Sequence, residues 1–389
     1  MPGESNLDGM AMMQSKYQAL SLRAQISANR GLTLIELLVA IALGAILLTG
    51  AISLFVNNRA TYELTTDMSR LQENARFALQ SMVADIRMAG HIGCGNDLAR
   101  VNNDTGYTAG ELGDPTNGLE GFDPVVDPNR WYPSLYNGGV NTPVAGFLGG
   151  ADAITVRYLV GDRRDTDGNG TMDLQVTNSV YSGNLGIQVD NQQAAIATNE
   201  MAGISDCGGA DIFTVANIAG NTVTASGLSR AYDTSNNALL GRYVAARYFI
   251  RNNAEGIPSL FRVTFAPGSS TVQTPANQEE LVDGVQSMQI LYGVDANSDG
   301  IPDQFLAAGA AGLTTRNDWL SVISVRISLL MRTVDAISKA VDNNIYEVGD
   351  VRFCRNGIIP APNPACDVTW AADKLRRRVF QTTISIRNS

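Results

Sequence analysis

One stretch limits what this chain can become. Residues 32–56 form an apolar run of 25 residues with no proline and a single charge, Glu36. As a helix it spans roughly 37 Å, enough to cross a bilayer. Lys16, Arg23 and Arg30 precede it, which keeps the N-terminus in the cytoplasm and exports the rest of the chain. A secretory signal has a shorter apolar core, with its small-residue cleavage site after that core. Here the plausible small-residue junction, Arg30-Gly31, lies before the core, on its cytoplasmic side. A plain membrane anchor would also avoid a carboxylate near the start of its run, since an ionised Glu there costs on the order of 3 kcal/mol unless it is paired. Cleavage between Gly31 and Leu32 would create a cation, the new α-amino group of Leu32. In a staggered bundle of helices, Glu36 of one subunit meets the amino terminus of its neighbour, which sets register and relieves the charge.

The octet Arg30-Gly31-Leu32-Thr33-Leu34-Ile35-Glu36-Leu37 resembles the class III leader junction of type IV pilins and type II secretion pseudopilins, with Leu32 where Phe is usual. The leader, residues 1–31, is long, and Met10, Met12 and Met13 are alternative starts. The resemblance implies processing by a prepilin peptidase at Gly31, methylation of the Leu32 amine and an assembly role for Glu36.

Beyond Val56 the pattern turns amphipathic without a break. Leu64, Met68, Leu71, Ala75, Ala78, Met82, Ile86 and Ala89 recur at spacings of three and four, one face of a helix. Gly90 and Gly93 then stop it. The segments 71–79 and 85–94, and the C-terminal Arg377-Arg378-Val379-Phe380-Gln381-Thr382-Thr383-Ile384, resemble the PilW branch of minor pilins. That resemblance implies a structural subunit that helps initiate, prime or cap a type IV pilus. Its partners would be other minor and major pilins, the inner-membrane assembly platform and the prepilin peptidase. The precursor would sit in the inner membrane with its head in the periplasm, and then in a pilus on the cell surface. A pseudopilin of a type II secretion system and a tip adhesin ordered by calcium are the competing readings.

The whole chain has 389 residues and 44% apolar composition, enough to build a real core. The expected fold is α+β: a long N-terminal helix over 32–89, transmembrane over 32–56 and then amphipathic, packed on a large antiparallel β-rich head over 90–389. Strands are expected over 153–160, 211–216, 243–250, 260–265, 285–292, 320–331 and 379–387, separated by Gly, Asn and Pro clusters. Residues 95–150 lack periodicity and read as a long irregular loop.

The four cysteines suggest two disulfides in an exported chain. Cys354–Cys366 would close a short, turn-prone loop, and Cys94–Cys207 would tie the helix exit to the sheet. Two segments carry calcium-loop spacing. Asp295, Asn297, Asp299 and Asp303 stand at positions 1, 3, 5 and 9, and Asp165, Asp167, Asn169 and Asp173 repeat the pattern. Both lack the twelfth-position Glu, so Asx-stabilised turns are the competing reading. The net charge of −10 disfavours nucleic acid, and the run Arg376-Arg377-Arg378 reads as a solvated or strand-edge cluster. With one histidine, no Cys-x-x-Cys and no nucleophile elbow or phosphate loop, zinc chemistry and catalysis are not expected.

Overall fold

The computed structural model describes residues 33–93, 100–106, 113–123, 150–161, 174–181, 183–190, 196–232, 238–264, 278–338, 340–357 and 366–386. The chain divides into two compact units, Met1–Tyr62 and Glu63–Ser389. The helix α1 (Leu34–Met88) has residues in both. It ends where the glycines demand it. Gly90 and Gly93 take φ values of +74° and +103°, a region that L side chains avoid. At Gly93 an added Cβ would also meet Ser205 Oγ at 2.1 Å.

In the second unit the expected stripe is the buried face of α1. Leu71, Ala75, Ala78, Met82, Ile86 and Ala89 are buried, while Leu64 and Met68, earlier on the stripe, are half-buried. Among the described residues the strands form three sheets. The main path of the largest runs Gln278–Asp283, Pro258–Thr264, Leu239–Asn252, Met201–Asp206, Gly209–Ala219, Thr222–Ala225 and Gly186–Gln188. Ala153–Gly161 also pairs with Leu239–Asn252, and Leu119–Phe122 with Ala153–Gly161. A four-stranded sheet is ordered Gln304–Ala307, Val285–Val294, Val322–Arg332 and Arg377–Ser385. A small sheet joins Tyr346–Val348, Val351–Arg355 and Val368–Trp370. Pairing is antiparallel, as expected, except that Val101–Asp104 runs parallel to Gly209–Ala219 and Val351–Arg355 parallel to Val368–Trp370.

The main core lies where α1 meets the two larger sheets. Its stripe packs with Ile154, Val156, Tyr248 and Ile250 of the large sheet and with Met288, Ile290, Val325, Ile327 and Leu329 of the four-stranded one. The alternation in Val322–Arg332 is the device. Val325, Ile327, Leu329 and Met331 join the helix-side core, whereas Leu330 joins Val348, Val351, Phe353 and Trp370 on the other face.

The expected loop over 95–150 is corrected: it contains Val101–Asp104 and Leu119–Phe122, both paired into the large sheet. Neither is long enough to show a period of its own, so each is fixed by the strand beside it. Leu320, expected to open a strand, instead closes the short helix α2 (Arg316–Leu320), started by a Thr315–Asp318 capping box. The last strand begins at Arg377, two residues before the expected start.

That shift corrects the reading of the arginine run. Arg376 and Arg378 are exposed, but the side chain of Arg377 is 0% exposed. Its Nη1 donates to Asp342 Oδ2 at 3.2 Å and to Asp373 Oδ1 at 2.8 Å, and its Nε to Gln286 Oε1 at 2.7 Å. The guanidinium stacks 4.3 Å from the Trp370 ring centre. Burial works to raise the Asp373 carboxyl, but Arg377 overrides it and holds the pKa below the ordinary carboxylate value. Arg377→Ala would leave Asp342 buried without its cation and is expected to lose about 3 kcal/mol in chemical denaturation. A loss under about 1 kcal/mol would mean that the pair holds nothing together.

Candidate assembly helix and its anchorage

The first-unit portion of α1, residues 34–62, is exposed along nearly its whole surface. Leu34 is 76% exposed, Leu47 73% and Phe55 69%. The helix is long and apolar enough to cross a membrane, with a mean hydropathy of 2.5 over its most apolar window. Fourteen large apolar side chains between Leu34 and Val56 stand in the open. Covering them is worth on the order of 20 kcal/mol, so this segment requires lipid or neighbouring helices around it. Its polar groups are arranged for such surroundings. Thr49 Oγ1 donates to Ala45 O and Ser53 Oγ to Thr49 O, both at 2.8 Å. Each hydroxyl is thereby satisfied within its own helix.

Glu36 is engaged locally. Its Oε2 accepts hydrogen bonds from Thr33 N and Thr33 Oγ1, both at 3.0 Å, and Glu36 N donates to Thr33 Oγ1 at 3.3 Å. This reciprocal arrangement is a capping box with Thr33 at its head. Both bonds to the carboxylate fall on one oxygen. Gly31 and Leu32, the expected processing site, lie outside the described residues.

At its other end the helix is anchored by a cluster that sequence reading missed. Asp85 Oδ1 accepts from the Tyr158 hydroxyl at 2.9 Å and Asp85 Oδ2 from the Tyr248 hydroxyl at 2.6 Å. Tyr248 Oη also donates to Ser81 O at 3.2 Å. The two tyrosines sit on neighbouring strands of the large sheet, in rows that share a face, because Ile154 pairs with Tyr248 and Tyr158 with Val244. Burial, and then the adjacent Asp85 charge, push both hydroxyls well above the ordinary tyrosine value, so they remain donors at any physiological pH. The chain leaving the helix is stitched to the same strand, with Gly90 N on Arg157 O at 2.9 Å and Leu159 N on His91 O at 2.7 Å. The available signal was a carboxylate set between the inward residues Met82 and Ile86.

The remaining sequence candidates are scattered over the head. Cys354 and Cys366 form the expected disulfide, with a Cα–Cα distance of 6.0 Å. Cys207 is also disulfide-bonded, and its expected partner Cys94 lies outside the described residues. So does the whole 165–173 loop. The 295–303 loop is described, and its side-chain oxygens meet backbone N–H groups. Asp295 Oδ2 accepts from Gly300 N at 2.7 Å, Asn297 Oδ1 from Asp299 N at 2.9 Å, Asp299 Oδ1 from Ile301 N at 2.8 Å and Asp303 Oδ2 from Ala296 N at 2.8 Å. Desolvation tends to raise the Asp295 carboxyl, and the N–H groups of Gly300, Ser298, Asp299 and Asn297 outweigh it, leaving the pKa below the ordinary value. Among the described residues no three His, Cys, Asp or Glu side chains are grouped to hold a metal ion.

Residues 247–388 match the family model described as Type IV Pilus-assembly protein W, and residues 26–52 match the Prokaryotic N-terminal methylation motif. The second match spans Gly31, Leu32 and Glu36. The first covers both flanks of the four-stranded sheet, the Cys354–Cys366 disulfide and the Arg377 cluster. No curated protein and no solved structure matches the chain. The two matches support a minor pilin associated with the type IV pilus, and with the exposed apolar helix they fit a membrane-anchored precursor.

Asp85→Ala would remove the acceptor of the half-buried Tyr158 hydroxyl and leave the Tyr248 hydroxyl only its longer bond to Ser81 O. The expected loss is about 2 kcal/mol, read by denaturation of a chain comprising residues 63–389. Asp85→Asn should recover part of it, since the amide oxygen still accepts one bond.

Proposed function

We propose that this chain is a minor pilin that helps initiate, prime or cap a type IV pilus, entering the filament through residues 32–56 after removal of residues 1–31. The observation that carries the proposal is the exposed apolar segment of α1, whose polar groups are satisfied within the helix. Such a surface gains its free energy from lipid before assembly and from neighbouring helices after it. The precursor spans the inner membrane with its head in the periplasm. Its partners are other minor and major pilins, the assembly platform and the prepilin peptidase.

The peptidase cuts between Gly31 and Leu32, and the Leu32 amine is methylated. Glu36 then serves two bonding partners. One carboxylate oxygen caps its own helix through Thr33, and the other meets the amino terminus of the neighbouring subunit. Filaments from cells carrying Glu36→Val test this directly. Membrane insertion should be kept or improved, incorporation of the chain into filaments should fall about tenfold or more, and wild-type filaments should yield an N-terminal peptide that begins with methylated Leu32. Wild-type incorporation of the variant would remove the register role, and an intact leader in filaments would sink the processing site.

Calcium is part of the same proposal for the head. Asp295, Asn297, Asp299 and Asp303 retain lone pairs beyond those that accept backbone N–H groups, and Asp165, Asp167, Asn169 and Asp173 repeat their spacing in the sequence. A weak site of about 10⁻⁴ M would add about 1.4 kcal/mol at tenfold excess of calcium. The measurement is the melting midpoint of a chain lacking residues 1–56, with calcium and then with chelator. An unchanged midpoint and no heat of binding would leave the Asx-turn reading in place.

A further inference from the structure

The large sheet ends at Gln278–Asp283, which pairs on one side with Pro258–Thr264. Among the described residues nothing pairs with its other edge. In an antiparallel ladder, alternate backbone N–H and C=O groups of an edge strand point outward, ready to accept another strand. Beside this edge runs a groove of about 670 Å³, walled on the opposite side by α1. Glu73, Arg76 and Phe77 line it from the helix, and Glu280 and Asp283 from the strand. Phe77 is 52% exposed, a large ring with no core around it.

The carboxylates in the groove are held in place. Asn253 Nδ2 donates to Glu280 Oε1 at 2.9 Å, and Asn74 Nδ2 donates to Asp283 Oδ1 at 2.7 Å. Each amide fixes one oxygen of its carboxylate, and the second oxygen takes no hydrogen bond among the described residues. Three acids against one arginine give the groove a net negative lining.

Charged side chains and a bulge are also the usual means of blunting a sheet edge, and this strand has both, with a register shift between Glu280 and Val282. Blunting by charge is selective in sign. Glu73, Glu280 and Asp283 repel an acidic strand, and with it the same edge of a second copy of this chain, whose net charge is −10. They attract a strand that alternates basic and apolar side chains, placing cations against the carboxylates and an apolar residue on Phe77. We propose that this groove docks a basic, extended segment of another protein as an added strand along Gln278–Asp283. The groove is built entirely from residues of the second unit, so its occupancy does not depend on the filament role of residues 32–56.

The test uses the full chain in detergent micelles with two labelled hexapeptides, one alternating lysine and valine and one alternating glutamate and valine. The lysine peptide should bind by fluorescence anisotropy and slow hydrogen exchange at residues 278–283, and the glutamate peptide should do neither. The double variant Glu73→Lys, Glu280→Lys should weaken lysine-peptide binding about tenfold and admit the glutamate peptide. Arg76→Glu should strengthen lysine-peptide binding, a gain that misfolding cannot produce. Absence of binding would overturn the proposal. So would binding that the double variant leaves unchanged, binding without protection at 278–283, or protection that rises with the concentration of the chain alone, which would make a second copy the occupant.

Discussion

Leu71, Ala75, Ala78, Met82 and Ile86 form one helical face that the two largest sheets share. The large sheet carries two further apolar clusters away from this stripe, but the main core is closed by the helix and both sheets together. The large sheet offers Ile154, Val156, Tyr248 and Ile250, the four-stranded sheet offers Met288, Ile290, Val325 and Ile327, and the helix stands in contact with both. Burying a side chain the size of Met or Ile is worth about 1.5–3 kcal/mol. Those helical side chains therefore hold the sheets in place as firmly as the sheets hold the helix. The alanines matter for a different reason: a larger residue at either would have to find space in a fully buried, close-packed site.

Apolar packing of this kind fixes distance better than it fixes position along the helix. The polar contacts supply that position. Asp85 can satisfy Tyr158 and Tyr248 together only in one axial placement, and Asn74, about three turns earlier on the same side of the helix, reaches Asp283. Arg377 plays the same part at the far side of the four-stranded sheet, joining Gln286, Asp342, Asp373 and Trp370. In each case a charged group, half-buried at Asp85 and Asp283 and buried at Arg377, meets partners whose geometry a slipped register would break.

The apolar segment of α1 follows the opposite principle. Its hydroxyls and Glu36 are bonded within four residues of themselves, so its polar chemistry is complete in the isolated chain. That independence suits a segment that exchanges one apolar environment for another. The cap engages only one oxygen of the Glu36 carboxylate.

The sequence by itself determined the helix, its apolar and amphipathic parts, its glycine stop, the strands with clear alternation and the Cys354–Cys366 loop. These features are local: period, charge placement and backbone freedom act over a few residues, and one chain segment is enough to read them. Only the tertiary structure decided the rest. Val101–Asp104 and Leu119–Phe122 are strands because their neighbours are, and they carry no alternation long enough to announce it. Arg377 looked like its exposed neighbours Arg376 and Arg378 because burial of a cation depends on Asp342, Asp373 and Trp370, and Asp342 stands 35 residues away in the chain. Tyr158 and Tyr248 became anchors for Asp85 through strand register, which depends on partners many tens of residues distant. The edge beside Phe77 likewise exists only because the sheet ends there, a property of strand order that no single segment encodes.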